Sequence, residues 1–258
     1  MKSVIVIPAR YGSTRFPGKS LARIQGRPMI QWVWEAASRS RLSEAVVIAT
    51  DDERIADIAA KFGADVIMTR RSHRSGTDRV AEVAEKISAN LYVNVQGDEP
   101  LLLPGAVDDL IRAMMENPRV PIGTLAHPLE TEAEWRSPEV VKVVRNRHHE
   151  ALYFSRSPLP FQRAFDPRTA LWRHVGIYAF RSRALETFVA LKPSPLELAE
   201  SLEQLRALEY GMVIQVIETK YRCLGVDTPA DLAKVEALLA RMNREKKRPA
   251  RKRKARRS

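Results

Sequence analysis

Over the first hundred residues, short apolar runs alternate with longer stretches in which apolar positions recur every three or four residues. The runs at 3–7, 45–49, 65–68 and 91–95 are too short for helices, and they predict strands, the first of them buried on both faces of a sheet. Between them, 53–62 and 78–87 carry helical periodicity, and Pro28 opens a further helix in which Ile30, Val33 and Trp34 share a face. This alternation predicts βαβ units and an α/β fold, a doubly wound parallel sheet with helices on both faces. Sites in such sheets lie beyond the carboxyl ends of the strands. After Asn117-Pro118 the rhythm changes. Strands are expected at 122–126, 140–145, 151–154 and 174–180 with few helices between them, which predicts a β-rich insertion at about 119–180. Helices at 183–191 and 195–210, a strand at 212–217 and a helix at 228–242 complete one α/β domain over residues 1–243.

Composition leaves that picture intact, and charge changes it at one end only. The chain has 258 residues, 45% of them hydrophobic and 29% charged, which suits a folded α/β core. The net charge of +12 suggests nucleic acid until it is divided along the sequence. Residues 244–258 hold ten Lys or Arg and one acid, which is +9 of the total and leaves +3 for residues 1–243. The segment 244–258 is therefore expected to be a disordered basic tail. A protein that binds nucleic acid through this tail, in a salt-dependent and sequence-independent way, is the competing class of function. The single cysteine, Cys223, cannot form an internal disulfide and points to a reducing compartment. No apolar stretch approaches the roughly 20 residues of a membrane span, and the first run is too short for a signal peptide. A cytoplasmic location is the expectation.

The loop Ala9-Arg-Tyr-Gly-Ser-Thr-Arg-Phe-Pro-Gly-Lys19 follows the first strand directly. Gly12 and Gly18 let the backbone turn, Ser13 and Thr14 add hydroxyl donors, and Arg10, Arg15 and Lys19 can neutralise a polyphosphate. The loop matches neither the P-loop nor the dinucleotide-binding glycine pattern, and a solvated basic loop is the plainer alternative. Asp98, in Gln96-Gly-Asp-Glu-Pro100, should emerge at the end of a central strand, where a carboxylate can hold Mg²⁺; a simple turn would read the same way. In Gly225-Val-Asp-Thr-Pro-Ala-Asp231, Asp227 stands just ahead of a helix capped by Thr228, as a second metal ligand or only as part of the cap. The polar segment from Arg70 to Arg79 can read a base or ribose through Ser75, Thr77, Asp78 and its arginines, or be a solvated loop with a capping box. Helical spacing puts Glu197, Glu200 and Gln204 on nearly one face, to bind hydroxyls or to form an exposed acidic helix. The five histidines show no zinc spacing, and no nucleophile elbow supports covalent catalysis.

Taken in order, these segments resemble the 3-deoxy-manno-octulosonate (KDO) cytidylyltransferases across nearly all of residues 3–240. The resemblance rests on the loop from Ile7 to Lys19, on Ser75-Gly-Thr-Asp-Arg79, Asn94-Val-Gln-Gly-Asp-Glu-Pro100 and Ala151-Leu-Tyr-Phe-Ser-Arg156, and on His174-Val-Gly-Ile-Tyr178, Leu202-Glu-Gln-Leu-Arg206 and Gly225-Val-Asp-Thr-Pro229. It implies a Rossmann-like nucleotidyltransferase sheet with a β-rich dimerisation insertion, Mg²⁺ as cofactor and a homodimer. The implied reaction transfers CMP from CTP to the anomeric hydroxyl of KDO, releasing pyrophosphate, and so activates the sugar for lipopolysaccharide biosynthesis. The first motif is shared with sialic-acid cytidylyltransferases, so the same chemistry on 8-amino-KDO or a sialic acid is the near alternative. By matching position, Arg10, Arg15 and Lys19 would grip the CTP phosphates and, with Asp98, carry the catalysis. Ala9, Ser75, Thr77 and Arg79 would help to hold the nucleotide. Asp98 and Asp227 would hold the metal, and Gln96, Arg156, His174, Tyr178, Glu203 and Gln204 would line the sugar pocket. The resemblance thus prefers Glu203 and Gln204 to the face drawn from periodicity, and it implies no specific nucleic-acid partner. Three features depart from the family pattern: a shorter 159–172 stretch, Ser20 in place of the usual proline, and the basic tail.

Overall fold

A computed structural model of the chain describes residues 1–12, 16–166, 168–222 and 224–247, the last five as backbone only. In chain order the elements are β1 (Ser3–Ala9), a one-turn 3-10 helix (Lys19–Leu21), the two-residue strands β2 (Arg23–Ile24) and β3 (Arg27–Pro28), α1 (Met29–Ala37), β4 (Ala45–Thr50) and α2 (Glu53–Lys61). They continue with β5 (Asp65–Met68), α3 (Gly76–Lys86), β6 (Leu91–Asn94), α4 (Pro104–Glu116), β7 (Ile122–Pro128), α5 (Glu132–Arg136), β8 (Lys142–Arg145) and β9 (Ala151–Ser155). β10 (Trp172–Arg181), α6 (Ser182–Ala190), α7 (Pro195–Glu200), α8 (Gln204–Glu209), β11 (Ile214–Glu218) and α9 (Pro229–Lys247) complete the chain.

The main sheet runs in the order β11-β7-β10-β6-β1-β4-β5. β1 lies parallel to β4 and β6, and β4 lies parallel to β5, as the alternating pattern predicts. Side chains alternate across the sheet with the period of two that a strand imposes. Ile5 and Ile7 join the core formed with Ile30 and Val33 of α1 and Leu110 and Ile111 of α4, whereas Val4 and Val6 join Val80 and Val83 of α3 and Leu185 and Phe188 of α6. All these side chains are buried, each at about 1.5–3 kcal/mol relative to exposure, so the helices do cover both faces.

Four expectations change. The helix α4 was not anticipated, although Pro104 sits in its first turn and Ala106, Val107, Leu110, Ile111 and Met114 form its buried stripe. The sheet is mixed, because β10 is antiparallel to both β6 and β7. The strands within 119–180 do not form a separate unit: β7 and β10 belong to the central sheet, and only the β8–β9 pair extends away, attached through Trp172 and Arg173 of β10. Finally, the single helix expected over 195–210 is two, broken where Ser201 takes a left-handed conformation (φ 53°). The β8–β9 pair is anchored by Lys142, a fully buried ammonium that donates to the carbonyls of Ser137, Val140 and Arg156 at 2.5–2.8 Å.

α9 runs to Lys247, so the first four residues of the expected tail continue a helix, while 248–258 lie outside the described residues. No helix among the described residues is long and apolar enough to cross a membrane.

Candidate active site

The carboxyl ends of β1 and β6 lie side by side, and the chain beyond each lines one cleft of about 290 Å³. Val95 continues the pairing by donating to Val6 O, and the next turn passes so close to β1 that a Cβ on Gly97 would lie 2.9 Å from Pro8 O. Only glycine fits this approach, which sets Gln96 and Asp98 over the end of β1. From the far end of the chain, the Val226 N–H donates to Asp98 O at 2.9 Å and brings Asp227 alongside.

The phosphate-loop candidate is closed by Gly18 N–H donating to Tyr11 O (2.9 Å), with Gly18 at φ 69° just before the short helix that presents Lys19. The Arg54 guanidinium lies over the face of the Tyr11 ring, 3.3 Å from its centroid. Lys19 Nζ reaches Asp98 Oδ2 at 2.5 Å and Asp227 Oδ1 at 3.2 Å. Arg10 lines the same cleft, as do Ala9, Ser75, Arg79, Gln96 and His73. Ser13, Thr14 and Arg15 lie outside the described residues, as does Cys223.

One cation between two carboxylates marks a point on which negative oxygens converge. Glu99 reinforces the reading, because burial first, and then the neighbouring Asp98 and Asp227, push its carboxyl up to about 8, and its Oε2 has no hydrogen-bond partner. Hard oxygen ligands with surplus negative charge suit a divalent cation such as Mg²⁺. Among the described residues no cluster of three His, Cys, Asp or Glu side chains forms a protein-only metal cage, so Asp98 and Asp227 would need ligands from a substrate or water.

The start of α3 divides the remaining candidates. Ser75 caps α3 in a reciprocal capping box with Asp78, and Arg79, almost fully buried, is ion-paired to Asp51 at 3.1 Å and bonded to Thr69 Oγ1 at 2.6 Å. Thr77 turns away from the cleft: its hydroxyl donates to Glu203 Oε2 at 2.6 Å, and it lines a small apolar cavity with Tyr178, Phe188, Glu203 and Gln204. Two buried polar atoms there, Glu203 Oε1 and Gln204 Nε2, have no hydrogen-bond partner. Burial raises the Glu203 carboxyl against the Thr77 and Ser75 hydroxyls that oppose it, and it raises Tyr178 well above its ordinary value, helped by Glu203. Unsatisfied buried groups are costly in a folded protein and call for a partner, and the cavity beside them, about 10 Å³, has room for about one water as it stands.

His174 sits behind this cavity, with Nε2 at 2.9 Å from Thr124 Oγ1 and its ring between Phe154 and Tyr178, and burial drives its pKa down to about 3. A register shift in β10 between Val175 and Tyr178 is what brings these two residues into one ring stack. Arg156 is spent on backbone: Nε donates to Glu200 O and an Nη to Pro138 O. The Glu197 and Glu200 face expected from spacing does not exist as an acidic surface. Glu197 binds Arg206 at 2.5 Å, Glu200 accepts from the Ser155 hydroxyl and the Arg156 amide, and Gln204 belongs to the next helix.

Sequence reasoning missed Glu99 and Arg206, whose signals were their places beside Asp98 and at the end of the Leu202–Arg206 motif, and Thr124 and Glu82, for which no local motif gave a signal.

A family model described as cytidylyltransferase matches residues 4–215. Similar proteins include a 3-deoxy-manno-octulosonate cytidylyltransferase from Syntrophotalea carbinolica, 51% identical over 93% of this chain and 99% of that one. Another, from Chloroherpeton thalassium, is 47% identical over the same shares of both chains. Among solved structures, a CMP:2-keto-3-deoxy-manno-octonic acid synthetase complexed with CTP superposes with a TM-score of 0.89 at 47% identity, covering 94% of this chain and all of that one.

Proposed function

The chain belongs to the 3-deoxy-manno-octulosonate cytidylyltransferase family, and from that premise we propose that it transfers CMP from CTP to the anomeric hydroxyl of KDO with release of pyrophosphate. The observation that carries this reading is Lys19 held between Asp98 and Asp227 at the mouth of the cleft beyond β1 and β6. It combines a phosphate-neutralising cation with two hard carboxylates, which is what transfer of a nucleotidyl group needs.

In the reaction the sugar hydroxyl attacks the α-phosphorus in line and pyrophosphate leaves, so negative charge accumulates on phosphate oxygens. Lys19 and Arg10 stabilise that charge where they already line the cleft, and Arg15 has the same role by its place in the loop. Ala9, Ser75 and Arg79 form the nucleotide wall, with Thr77 supporting it from behind. Gln96 stands between the nucleotide cleft and Gly176 of β10, where the sugar would meet the α-phosphate. Glu203 and Gln204 receive sugar hydroxyls, while His174, Tyr178 and Arg156 shape the pocket. Asp98 and Asp227 are the residues that would hold Mg²⁺, which when bound neutralises phosphate charge and lowers the pKa of an oxygen nucleophile. Positioning and electrostatics supply most of the catalysis, and the proton of the attacking hydroxyl leaves to water in the open cleft.

A cytoplasmic homodimer completes the proposal. Leu152 of β9 and Phe161 just beyond it are 60% and 83% exposed, an apolar surface on the projecting hairpin that a second copy would cover. The deciding experiment is pyrophosphate release with KDO against a panel of acid sugars and all four nucleoside triphosphates. Release with CTP and KDO alone is expected; none with that pair overturns the proposal.

A further inference from the structure

The segment 69–74, whose His73 and Arg74 line the cleft, lies ahead of α3 and contains neither helix nor strand. It is tied down by one face of α3, on which Arg79, Glu82 and Lys86 recur at three- and four-residue spacing. Arg79 donates to Thr69 Oγ1 and to Arg70 O. Lys86 donates to Met68 O at 2.9 Å and to Glu82 Oε1 at 3.1 Å. Glu82 Oε2 accepts from the Arg70 amide at 2.9 Å and meets His73 Nε2 at 2.6 Å.

Glu82 is the hub of this arrangement. Its side chain is 8% exposed, and its donors hold the carboxyl down at about 2 despite burial, so it is ionised at any working pH. An ionised carboxylate only accepts, so the proton in the short contact lies on His73 Nε2, which fixes the ring's orientation. His73, Arg74 and Ser75 then face the cleft as consecutive wall residues.

We propose that Glu82 is a positioning residue for the nucleotide. It never touches CTP; it acts through His73 and the Arg70 amide to hold the 70–74 wall in the shape that receives the nucleoside half of CTP. The sugar pocket, on the far side of Thr77, does not depend on it. This inference rests on the CTP reading of the cleft.

The test is CTP binding by calorimetry without sugar, followed by steady-state kinetics, on the full-length protein and on Glu82→Gln, His73→Ala and the double variant. Loss of a hydrogen bond to a charged group predicts a roughly 10-fold weaker Kd and higher KM for CTP in each single variant. KM for KDO and kcat should stay within about two-fold, and the double variant should be no worse than Glu82→Gln alone, since His73 acts only through its bond to Glu82. His73 is less buried than Glu82, with 16% of its side chain exposed, so His73→Ala keeps the test decisive if Glu82→Gln folds poorly. Unchanged CTP affinity in His73→Ala, equal rises in both KM values, or additive effects in the double variant would overturn the inference. Failure of the unaltered protein to bind CTP would instead remove the reading on which it rests.

Discussion

The cleft around Lys19 and the cavity around Glu203 are built on opposite principles, although they meet across Gln96 and Thr77. In the cleft, charges face one another and remain open to solvent, with side-chain exposures of 15% for Lys19, 28% for Asp98 and 47% for Asp227. In the cavity, the Glu203 side chain is 32% exposed, yet its Oε1 and Gln204 Nε2 are buried among apolar rings with no hydrogen-bond partner. A polyanion needs mobile, hydrated countercharge that can be exchanged on binding. A polyhydroxy acid needs fixed acceptors and donors whose desolvation has already taken place. The difference therefore predicts which substrate each region governs, and substitutions on either side should separate the two.

The largest effect is expected from Asp98→Asn. The change keeps the size of the side chain and removes one of the two carboxylates that flank Lys19, so it acts on the charge that develops in transfer. A fall in single-turnover rate of roughly 10²–10³-fold is expected with CTP and KDO at saturation. A rate near that of the unaltered protein would show that the acidic pair is structural.

Glu203→Gln addresses the other region. It keeps the Thr77 contact feasible but removes the charge that a sugar hydroxyl would meet, and kcat/KM for KDO should fall by roughly 10- to 100-fold. KM for CTP should move by less than about two-fold. A comparable change in both KM values would mean that the two regions form one site and that the contrast between them is false.

The cleft was far more legible in the sequence than the cavity, for a physical reason. Arg10, Lys19, Asp98 and Asp227 each follow a recognisable strand end or precede a helix start, and the fold rule that places ligands there applies without knowledge of distant contacts. The apolar runs of β1, β4 and β6 were equally direct, because a strand buried on both faces has no other reading at that length. The cavity depends on non-local facts. Antiparallel insertion of β10 between β6 and β7, the register shift ahead of Tyr178 and the break at Ser201 all arise from tertiary packing. Periodicity consequently assigned Glu197 and Glu200 to a surface, where Arg206 and the Arg156 amide in fact hold them. The omission of α4 has no such excuse, since its buried positions carry plain helical spacing.

His174 sharpens the comparison through pH. Its ring is neutral and half-buried, with a folded-state pKa of about 3 against an ordinary value of 6.5. The unfolded chain binds the extra proton between those values, so stability is fully present above pH 6.5 and is lost as the pH falls toward 3. At roughly 1.4 kcal/mol per pH unit, this one group removes about 1 kcal/mol by pH 5.5. In His174→Gln, urea unfolding between pH 7 and 5.5 should show a slope shallower by that amount. An unchanged slope would mean that water reaches the ring and that the cavity is not desolvated.

The smallest effect belongs to the basic tail, and here the comparison predicts nearly nothing for either region. The body of the protein already supplies the cations that line the cleft, and the helix that leads to the tail starts two residues after Asp227 and then runs away from it. Nineteen residues of α9 at about 1.5 Å each carry the chain roughly 28 Å from the acidic pair, several times the Debye length of about 8 Å at physiological salt. Truncation after Lys247 should leave kcat and both KM values within about two-fold at that ionic strength. A drop in kcat/KM for CTP alone that vanishes at high salt would reveal steering of the polyanion toward the open region. Loss of all activity on truncation would shift the functional weight to the tail and favour the nucleic-acid reading over the enzymatic one.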